Sequence, residues 1–352
     1  MAERILAAMS GGVDSSVAAY LLQRQGYDVA GATMRLWDDG SENACCMLED
    51  AISVANRLGI PHDVLGCYGE FDRMVVRPFQ DSYLRGDTPN PCVRCNRYLK
   101  FGVLLEKARE LGFDAVATGH YARICWTPST RRWAVRKGRE AGRDQSYFLS
   151  QLNQEQLSQA RFPLGDIPKE AVRRIAMEQG FINARKRDSQ DICFVPDGDY
   201  GAFLEWYSRT PMQEGDILDT DGRVLGRHRG AARYTLGQRK GLGVSSAERL
   251  YVCGKSMADN TVTLGPESAL YSRVLYASDW VWGSVPGLDS PVRVTVKARS
   301  RHREQAATAE PLPDGRVRVM FDEPQRAVTV GQCVALYQGD AVLGGGIIEG
   351  TE

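Results

Sequence analysis

Residues 5–16 read Ile-Leu-Ala-Ala-Met-Ser-Gly-Gly-Val-Asp-Ser-Ser, which predicts a buried strand, a tight turn and the start of a helix. The apolar run ends at Ser10, and apolar residues then recur at helical spacing from Val17 to Leu22. Glycines at such a turn let backbone N–H groups point inward, and the helix N-terminus adds partial positive charge. The segment therefore predicts a cradle for a phosphate or pyrophosphate group.

Asp14 is unusual in this cradle, because a carboxylate repels an anion unless a divalent cation lies between them. We therefore expect Asp14 to hold Mg²⁺ that the phosphates share. No Walker lysine follows and no G-x-G-x-x-G is present, which excludes the P-loop kinase and Rossmann classes. The competing interpretation is an ordinary glycine turn before a helix.

Two patterns divide the rest of the chain. Apolar patterning predicts strands at 5–9, 29–36, 62–65 and 115–118, and helices at 47–58, 101–111, 154–159 and 169–179. Their alternation indicates a parallel sheet with helices on both faces and a ligand at the carboxyl ends of the strands. A loop is expected from Gly180 to about Gly201, and beyond Arg209 the period changes to two. We predict an α/β domain at 1–208, a small β-rich domain at 209–270 and a β-barrel at 271–352.

Composition excludes several classes of protein. The chain has 352 residues, 43% of them hydrophobic and 25% charged, which indicates a globular protein of two or three domains. It contains no run of about 20 apolar residues, and its N-terminus lacks the pattern of a signal peptide. A cytoplasmic location is therefore expected.

Basic residues are concentrated although the formal net charge is zero. Residues 131–143 carry six basic residues against one acid, residues 223–240 six against none, and residues 293–303 five against none. One such run is typical of any solvated surface, but three favour a polyanionic partner. In the second run, Arg227, Arg229 and Arg233 are the expected phosphate contacts.

The nine cysteines are an odd number in a chain without secretory features, so a disulfide framework is not expected. Thiol chemistry or metal binding is the better interpretation of the clustered ones. The isolated cysteines are expected to be small buried apolar residues; they are Cys67, Cys125, Cys253 and Cys333.

The Ser-Gly-Gly-x-Asp-Ser turn resembles that of the PP-loop ATP pyrophosphatases, whose sheet is of the adenine nucleotide alpha hydrolase type. Further motifs occur in order at Asn90–Asn96, Thr118–Arg123, Asp144–Leu149, Ser189–Phe194 and Tyr234–Gly241. Together they are similar to tRNA-specific 2-thiouridylases, which put sulfur on the wobble uridine of certain tRNAs. The resemblance extends from the first strand to the Gly-Gly-Gly-Ile-Ile at 344–348.

This resemblance implies a reaction. Because C2 of uracil is a poor electrophile, ATP would adenylate its oxygen so that AMP can leave. Sulfur would then arrive on a cysteine persulfide, and a second thiol would release the product and leave a disulfide. The family's pair falls on Cys193 as persulfide carrier and Cys95 as nucleophile. The implied partners are tRNA and a sulfur donor, either a cysteine desulfurase or a sulfur-relay protein, and the chain is expected to be a monomer. The three consecutive basic residues Arg185-Lys186-Arg187 are expected to lower the thiol pKa of these cysteines and so favour the thiolate form.

The other implied site residues follow the motif positions. The ATP site would comprise Ala8, Met9, Ser10, Gly11, Gly12, Val13, Asp14, Ser15, Met34 and Gly119. The target base would contact Asn90, Pro91 and Cys92. The tRNA would contact His120, Arg143, Asp144, Gln145, Arg299, Ser300 and Gln332. Cys92 stands where the family commonly has an acid, and Ser300 where it has an aromatic residue.

Several alternatives remain open. Cys45, Cys46, Cys92 and Cys95 could form a zinc site, and Cys92, Cys95 and Cys193 could hold an iron–sulfur cluster in place of the persulfide. The cradle would also suit an enzyme that adenylates a small carboxyl or ureido substrate. A non-catalytic RNA-binding protein would explain the basic runs but not the cradle.

Overall fold

The computed structural model describes residues 2–37, 42–188, 191–195 and 198–352. The strands are β1 (Arg4–Ala8), β2 (Asp28–Arg35), β3 (His62–Gly66), β4 (Ala115–Ala117), β5 (Ala122–Thr127), β6 (Arg132–Lys137), β7 (Ala160–Arg161), β8 (Gly215–Leu218), β9 (Val224–His228), β10 (Tyr251–Ser256), β11 (Thr261–Gly265), β12 (Tyr271–Trp282), β13 (Val292–Lys297), β14 (Gln305–Pro311), β15 (Val317–Arg326), β16 (Cys333–Gln338) and β17 (Ala341–Thr351). The α-helices are α1 (Val13–Arg24), α2 (Glu42–Leu58), α3 (Tyr68–Phe71), α4 (Arg77–Arg85), α5 (Pro91–Arg94), α6 (Leu104–Glu110), α7 (Gln154–Ser158), α8 (Lys169–Glu178) and α9 (Tyr200–Ser208).

The N-terminal part contains a parallel sheet in the order β3-β2-β1-β4-β7. β1 lies in its middle, and Ile5 and Leu6 are fully buried there because helices cover both faces. Helices α1 and α8 pack on one face, and α6 and α7 on the other. The predicted fold class is therefore confirmed for this part of the chain.

The order of the strands reverses between β1 and β4. In open α/β sheets, the crevice for a ligand opens at such a reversal, beyond the carboxyl ends of the strands. The turn after β1 contains Ser10, and the turn after β4 contains Gly119. Both predicted segments thus meet at the one edge of the sheet where a ligand is expected.

The C-terminal strands form a closed antiparallel barrel in the order β12-β15-β14-β13-β16-β17, with β17 pairing back to β12. A hairpin of β5 and β6 joins β17 through the pair Arg136 and Ala341. The sequence patterns did not predict this hairpin. It follows β4 of the α/β part and adds two strands to the sheet of the barrel. The predicted barrel itself is confirmed.

A four-stranded sheet in the order β10-β11-β8-β9 lies between these parts in the sequence. Its core contains Ile217, Val252, Val262 and Leu264, all fully buried. The β-rich character predicted for this region is confirmed.

Four helical segments differ from the sequence-based prediction. The helix predicted to begin at residue 101 is preceded by a π-helical segment, Cys95–Val103, that continues directly into α6. A second π-helical segment, Asp72–Val76, joins α3 to α4. Helix α9 begins just before the end of the loop expected after Gly180, and α2 begins five residues earlier than the predicted start at 47. None of the described helices is long and apolar enough to cross a membrane.

Candidate active site

The turn after β1 presents backbone N–H groups that are not paired with any of the described residues. Helix α1 has Gly12 as its N-cap without a side-chain cap, and its first internal bond runs from the N–H of Ser16 to the carbonyl of Gly12 at 3.3 Å. The hydroxyl of Ser15 donates to the Gly12 carbonyl at 3.0 Å and accepts from the N–H of Ser10 at 3.2 Å. The N–H groups of the first turn of α1 are left for a ligand, as expected of an anion site.

Two glycines of the cradle have no room for a side chain. Gly11 has a φ of +73°, and a Cβ atom there would lie 2.0 Å from the carbonyl oxygen of Met47. A Cβ atom at Gly119 would lie 2.7 Å from the carbonyl carbon of Asp14 and 2.8 Å from the nitrogen of Ser15. The turn after β4 therefore packs directly against the first turn of α1.

Asn183 stabilises the turn of the cradle through side-chain hydrogen bonds. No sequence motif predicted this role. Its side-chain amide is buried and donates to the carbonyl of Gly11 at 3.0 Å and to the hydroxyl of Ser16 at 2.9 Å. The residue lies in the loop after α8 and carries no motif of its own. No pattern along the sequence could have identified it.

The carboxylate of Asp14 is paired with an ammonium group. Nζ of Lys169 donates to Asp14 Oδ1 at 2.7 Å and to Oδ2 at 2.8 Å, and the Tyr121 hydroxyl donates to Oδ1 at 2.8 Å. Burial and the neighbouring Asp14 raise the pKa of Tyr121, so the phenol stays a donor. Both oxygens of Asp14 thus serve a cation of the protein itself, and in this arrangement the carboxylate does not fit a Mg²⁺ ligand.

Lys169 also reaches the segment that leads to Cys193. Its Nζ lies 2.7 Å from Asp188 Oδ1, and Asp188 further accepts from Arg143 and Arg173, each at 2.8 Å. Burial works against ionisation of Asp188, but these three cations together hold its pKa below the usual value. Asp188 directly precedes Ser189 and Gln190, which lie outside the described residues.

The thiols of Cys92, Cys95 and Cys193 lie close enough to influence one another's ionisation. All three are free, Cys95 is half-buried, and Cys92 and Cys193 are exposed to solvent. Partial loss of hydration raises the pKa of each thiol, and the pKa of Cys193 is raised further by Cys95 and Cys92. The predicted pair is thus brought together, with Cys92 as a third member.

Lys100 is the cation that acts on this thiol cluster of Cys92, Cys95 and Cys193. Its positive charge lowers the pKa of all three thiols, against the larger effect of desolvation. We had expected this effect from the basic knot at 185–187, but Lys186 instead pairs with Asp50 at 2.7 Å. Lys100 belongs to the same π-helical segment as Cys95, and an i→i+5 helix brings residues five apart to successive turns of one side.

Phe194 anchors the segment that carries Cys193. Its ring is buried, with centroids 5.2 Å from those of Phe79 and Phe203 and 5.5 Å from that of Phe71. The exposed thiol is therefore adjacent in sequence to a firmly packed aromatic ring.

Met34 and the expected target-base residues lie beside the same edge. Met34 is at the carboxyl end of β2 and half-buried between two apolar clusters. Asn90 caps α5 by accepting from the N–H of Val93 at 3.4 Å, and Pro91 is buried at the start of that helix. Cys92 follows on the exposed side, within the thiol cluster.

Several residues expected to contact tRNA make contacts within the protein. Asp144 accepts from the N–H groups of Gly138 and Ser146, and Gln145 accepts from the N–H of Tyr121 at 2.9 Å. His120 is half-buried, with Nδ1 2.6 Å from the Thr118 hydroxyl, and desolvation holds its pKa well below the usual value. The imidazole is therefore neutral at physiological pH.

The expected barrel contacts lie at domain junctions. Gln332 donates to the carbonyl of Thr88 at 2.7 Å, just before the segment that carries Cys92. Arg299 donates to the carbonyl of Leu236 and to the Thr329 hydroxyl, and burial lowers its pKa. Ser300 beside it is half-buried. These side chains connect parts of the protein to one another.

Some cations of the basic runs pair with acids of the chain, mainly in the first run, whereas Arg293 is the member of the third run that forms an ion pair within the described residues. Arg136 pairs with Asp340 at 3.0 Å and Lys137 with Glu304 at 2.7 Å. In the second run, Arg227 pairs with Asp216 and Arg233 with Glu205, and their expected contact with phosphate stays a prediction. The exposed cations of that run which pair with no acid of the described residues are Arg229, Arg239 and Lys240.

The alternative metal sites require several His, Cys, Asp or Glu side chains to lie close together. Among the described residues, no three His, Cys, Asp or Glu side chains are grouped so as to hold a metal ion. The thiol cluster as arranged therefore does not fit an iron–sulfur cluster. The side chains of Cys45 and Cys46, which the zinc alternative needs, lie outside the described part. Cys67 and Cys333 are buried as expected, whereas Cys125 and Cys253 are only half-buried.

Three family models match in succession: a tRNA methyl transferase HUP domain at 3–197, a tRNA methyl transferase PRC-barrel domain at 202–266 and an aminomethyltransferase beta-barrel domain at 272–348. These ranges follow the three parts of the fold.

The curated relatives share one name. The tRNA-specific 2-thiouridylases MnmA of Acetivibrio thermocellus and Moorella thermoacetica are 47% and 50% identical to this chain, over 99% and 98% of its length and 99% of theirs. The chain belongs to the tRNA-specific 2-thiouridylase family. Among solved structures, the U34-tRNA thiolase NcsA from Methanococcus maripaludis with its [4Fe-4S] cluster has 17% identity and a TM-score of 0.35, over 58% of this chain and 66% of its own.

Proposed function

We propose that this protein is an ATP-dependent sulfurtransferase that converts the wobble uridine of tRNA to 2-thiouridine. The proposal rests on one observation. Cys95 packs in one apolar cluster with Met34 and with Ile192 and Phe194, the neighbours of Cys193, although the two cysteines are far apart along the chain. Met34 lies near the carboxyl end of β2, and the first turn of α1 follows the adjacent strand β1 at the same edge of the sheet. Membership in the 2-thiouridylase family supports the choice of substrate.

In the first step, the C2 oxygen of uridine attacks the α-phosphorus of ATP and pyrophosphate leaves. The cradle residues and the N-terminus of α1 stabilise the negative charge of the departing pyrophosphate. Met34 and Gly119 border the space for adenosine. The resulting AMP ester gives the uracil carbonyl a good leaving group.

In the second step, a persulfide on Cys193 supplies the sulfur. Its terminal sulfur attacks C2, AMP leaves with the former carbonyl oxygen, and the base is joined to Cys193 through a sulfur–sulfur bond. The thiolate of Cys95 then attacks the Cys193 sulfur, which releases 2-thiouridine and forms a disulfide between the two cysteines. An external thiol reductant supplies two electrons to restore both thiols, and a persulfide donor reloads Cys193.

We assign ATP chemistry to residues 1–208 and tRNA contact to the parts at 209–270 and 271–352. We expect a cytoplasmic monomer that receives sulfur from a cysteine desulfurase or a sulfur-relay protein. Arg229, Arg239 and Lys240 are the exposed cations of the run at 223–240 that pair with no acid of the described residues. They are therefore the better candidates for tRNA phosphate contacts in this run.

The test is Cys193→Ser, with Cys253→Ser as a matched control. Cys253 is half-buried in β10, outside the thiol cluster. We expect Cys193→Ser to abolish 2-thiouridine formation, measured by mass spectrometry of digested tRNA, while tRNA-dependent release of pyrophosphate persists and AMP stays esterified to the base. Wild-type levels of 2-thiouridine would reject the proposal, and AMP formation without any need for tRNA would favour an enzyme that adenylates a small substrate.

A further inference from the structure

Lys169 has no role in the mechanism so far, and its position in the fold is unusual. It is the first residue of α8, its side chain is only 7% exposed, and its backbone N–H donates to Glu140 at 2.6 Å. An ammonium buried this deeply is costly unless anions surround it. Its three N–H donors are used by the two oxygens of Asp14 and by Asp188.

We propose that Lys169 is a phosphate-binding residue of the nucleotide site, which exchanges Asp188 for a phosphate oxygen when ATP binds. The inference rests on the proposed function for the identity of the ligand. Asp14, the second residue of α1, holds the ammonium beside the unpaired N–H groups of the first turn. A cation fixed there neutralises Asp14 and presents positive charge where the phosphates arrive.

The exchange costs little because Asp188 has other partners. Arg143 and Arg173 each remain at 2.8 Å from its carboxylate after Lys169 leaves. Counting Lys169, three cations surround the two carboxylates of Asp14 and Asp188, so the group as a whole favours an added anion. A phosphate oxygen, carrying more charge than a shared carboxylate, competes well for one N–H of Lys169.

The exchange also couples the nucleotide site to the thiols. Asp188 begins the segment that leads to Cys193, and Lys169 links it to the cradle. Binding of ATP therefore loosens one of the three contacts that hold the start of this segment. Occupancy of the cradle is expected to change the accessibility of the Cys193 thiol.

Binding of two probes tests the proposal without tRNA or a sulfur donor. The probes are inorganic pyrophosphate and α,β-methylene-ATP, measured by titration calorimetry in buffer containing Mg²⁺. We expect Lys169→Met to weaken both probes by about tenfold or more, because a charged hydrogen bond is lost. The matched control is Arg174→Ala on the same helix, whose exposed side chain pairs with Glu178 and which should change affinity less than about twofold.

A double variant separates a phosphate ligand from a counterion. Asp14→Asn with Lys169→Met removes both charges of the pair, which protects folding if the single variant is unstable. Weak binding in this double variant supports the proposal, whereas wild-type affinity would show that Lys169 only neutralises Asp14. Unchanged affinity in the single variant would likewise overturn it. If the wild-type protein binds neither probe, the proposed function fails together with this inference.

Alkylation of Cys193 gives a second readout. In the wild-type protein, saturating α,β-methylene-ATP should change the rate at which iodoacetamide labels Cys193, followed by peptide mass spectrometry. In Lys169→Met the labelling rate should be the same with and without the nucleotide at saturation. A nucleotide effect of equal size in both proteins would contradict the coupling.

Discussion

At the scale of single residues, the chemistry depends on how charge is placed around thiols and carboxylates. Each thiol of the cluster has a raised pKa, so the described state holds protonated thiols at neutral pH. Within the described part of the chain, Lys100 is the cation that lowers the pKa of all three thiols. It is therefore the residue on which the small thiolate population depends.

Replacing Lys100 tests this dependence. Loss of the ammonium disfavours the thiolate, so Lys100→Met should raise the pKa of Cys95 and Cys193 further and slow their alkylation at pH 8 by several-fold. The rate should rise with pH in both proteins, with the profile of the variant displaced to higher pH. Lys107→Met is the control, because Lys107 acts on the buried Cys67 instead. Superimposed profiles would exclude the assigned role of Lys100.

The close packing of Gly119 against the first turn of α1 can be tested by substitution. A methyl group there meets the backbone of Asp14 and Ser15, so Gly119→Ala must push the turn after β4 away from α1. We expect a loss of about 1–3 kcal/mol in stability and strongly reduced affinity for ATP. Gly142→Ala, where the added methyl meets nothing within 4 Å, should leave both unchanged. Equal behaviour of the two variants in thermal unfolding and nucleotide titration would contradict the close packing.

Among the secondary-structure elements, the candidate site is formed by the turns that follow strands at the carboxyl edge of the parallel sheet and by the π-helical segment that precedes α6. The apolar runs predicted β1 to β4 well, because strands buried on both faces leave a continuous signature. The hairpin of β5 and β6 was missed although its strands pair locally, across residues 128–131. Its junction with β17, through Arg136 and Ala341, involves residues distant in the sequence and leaves no local pattern. The π-helical segment that places Lys100 near Cys95 was missed because its repeat differs from the helical period that we searched.

Phe194 tests whether the segment carrying Cys193 needs its aromatic anchor. Phe194→Ala removes a buried ring from contact with Phe71, Phe79 and Phe203, and we expect a loss of about 3 kcal/mol in unfolding free energy. Thiolation should fall, while the affinity for pyrophosphate at the cradle is kept. Phe194→Leu should recover most of the stability. Full thiolation by a stable Phe194→Ala variant would show that the anchor is dispensable.

At the scale of the whole molecule, a neutral protein must bind a polyanion through few residues. The sequence predicted a basic partner surface from three runs, but it could not show that Arg136, Lys137 and Arg233 pair with acids distant in the chain. Contacts in the candidate site that depend on tertiary packing were likewise not predictable from the sequence. The motifs predicted the cradle and the cysteine pair, whereas Lys169 and Asn183 lie there because of tertiary packing, and Lys100 because of the π-helical segment that it shares with Cys95.

The salt dependence of tRNA binding tests the remaining surface. The triple variant Arg229→Ala, Arg239→Ala and Lys240→Ala should reduce the slope of log affinity against log salt by about 2 to 3, because each phosphate contact releases counterions. The control triple Arg227→Ala, Arg293→Ala and Arg318→Ala removes as many cations, but these are paired with Asp216, Asp322 and Glu310. An unchanged slope in the first triple would place the tRNA elsewhere.

In the proposed mechanism, the thiols of Cys95 and Cys193 transfer sulfur to a base that ATP has activated. The most direct measurement is a single turnover under anaerobic conditions with protein carrying a ³⁴S-labelled persulfide on Cys193, followed by mass spectrometry of both tRNA and protein. We expect the label to appear in 2-thiouridine and one disulfide between Cys95 and Cys193 to form for each base modified. Labelled or unlabelled 2-thiouridine formed while both thiols stay reduced would contradict it.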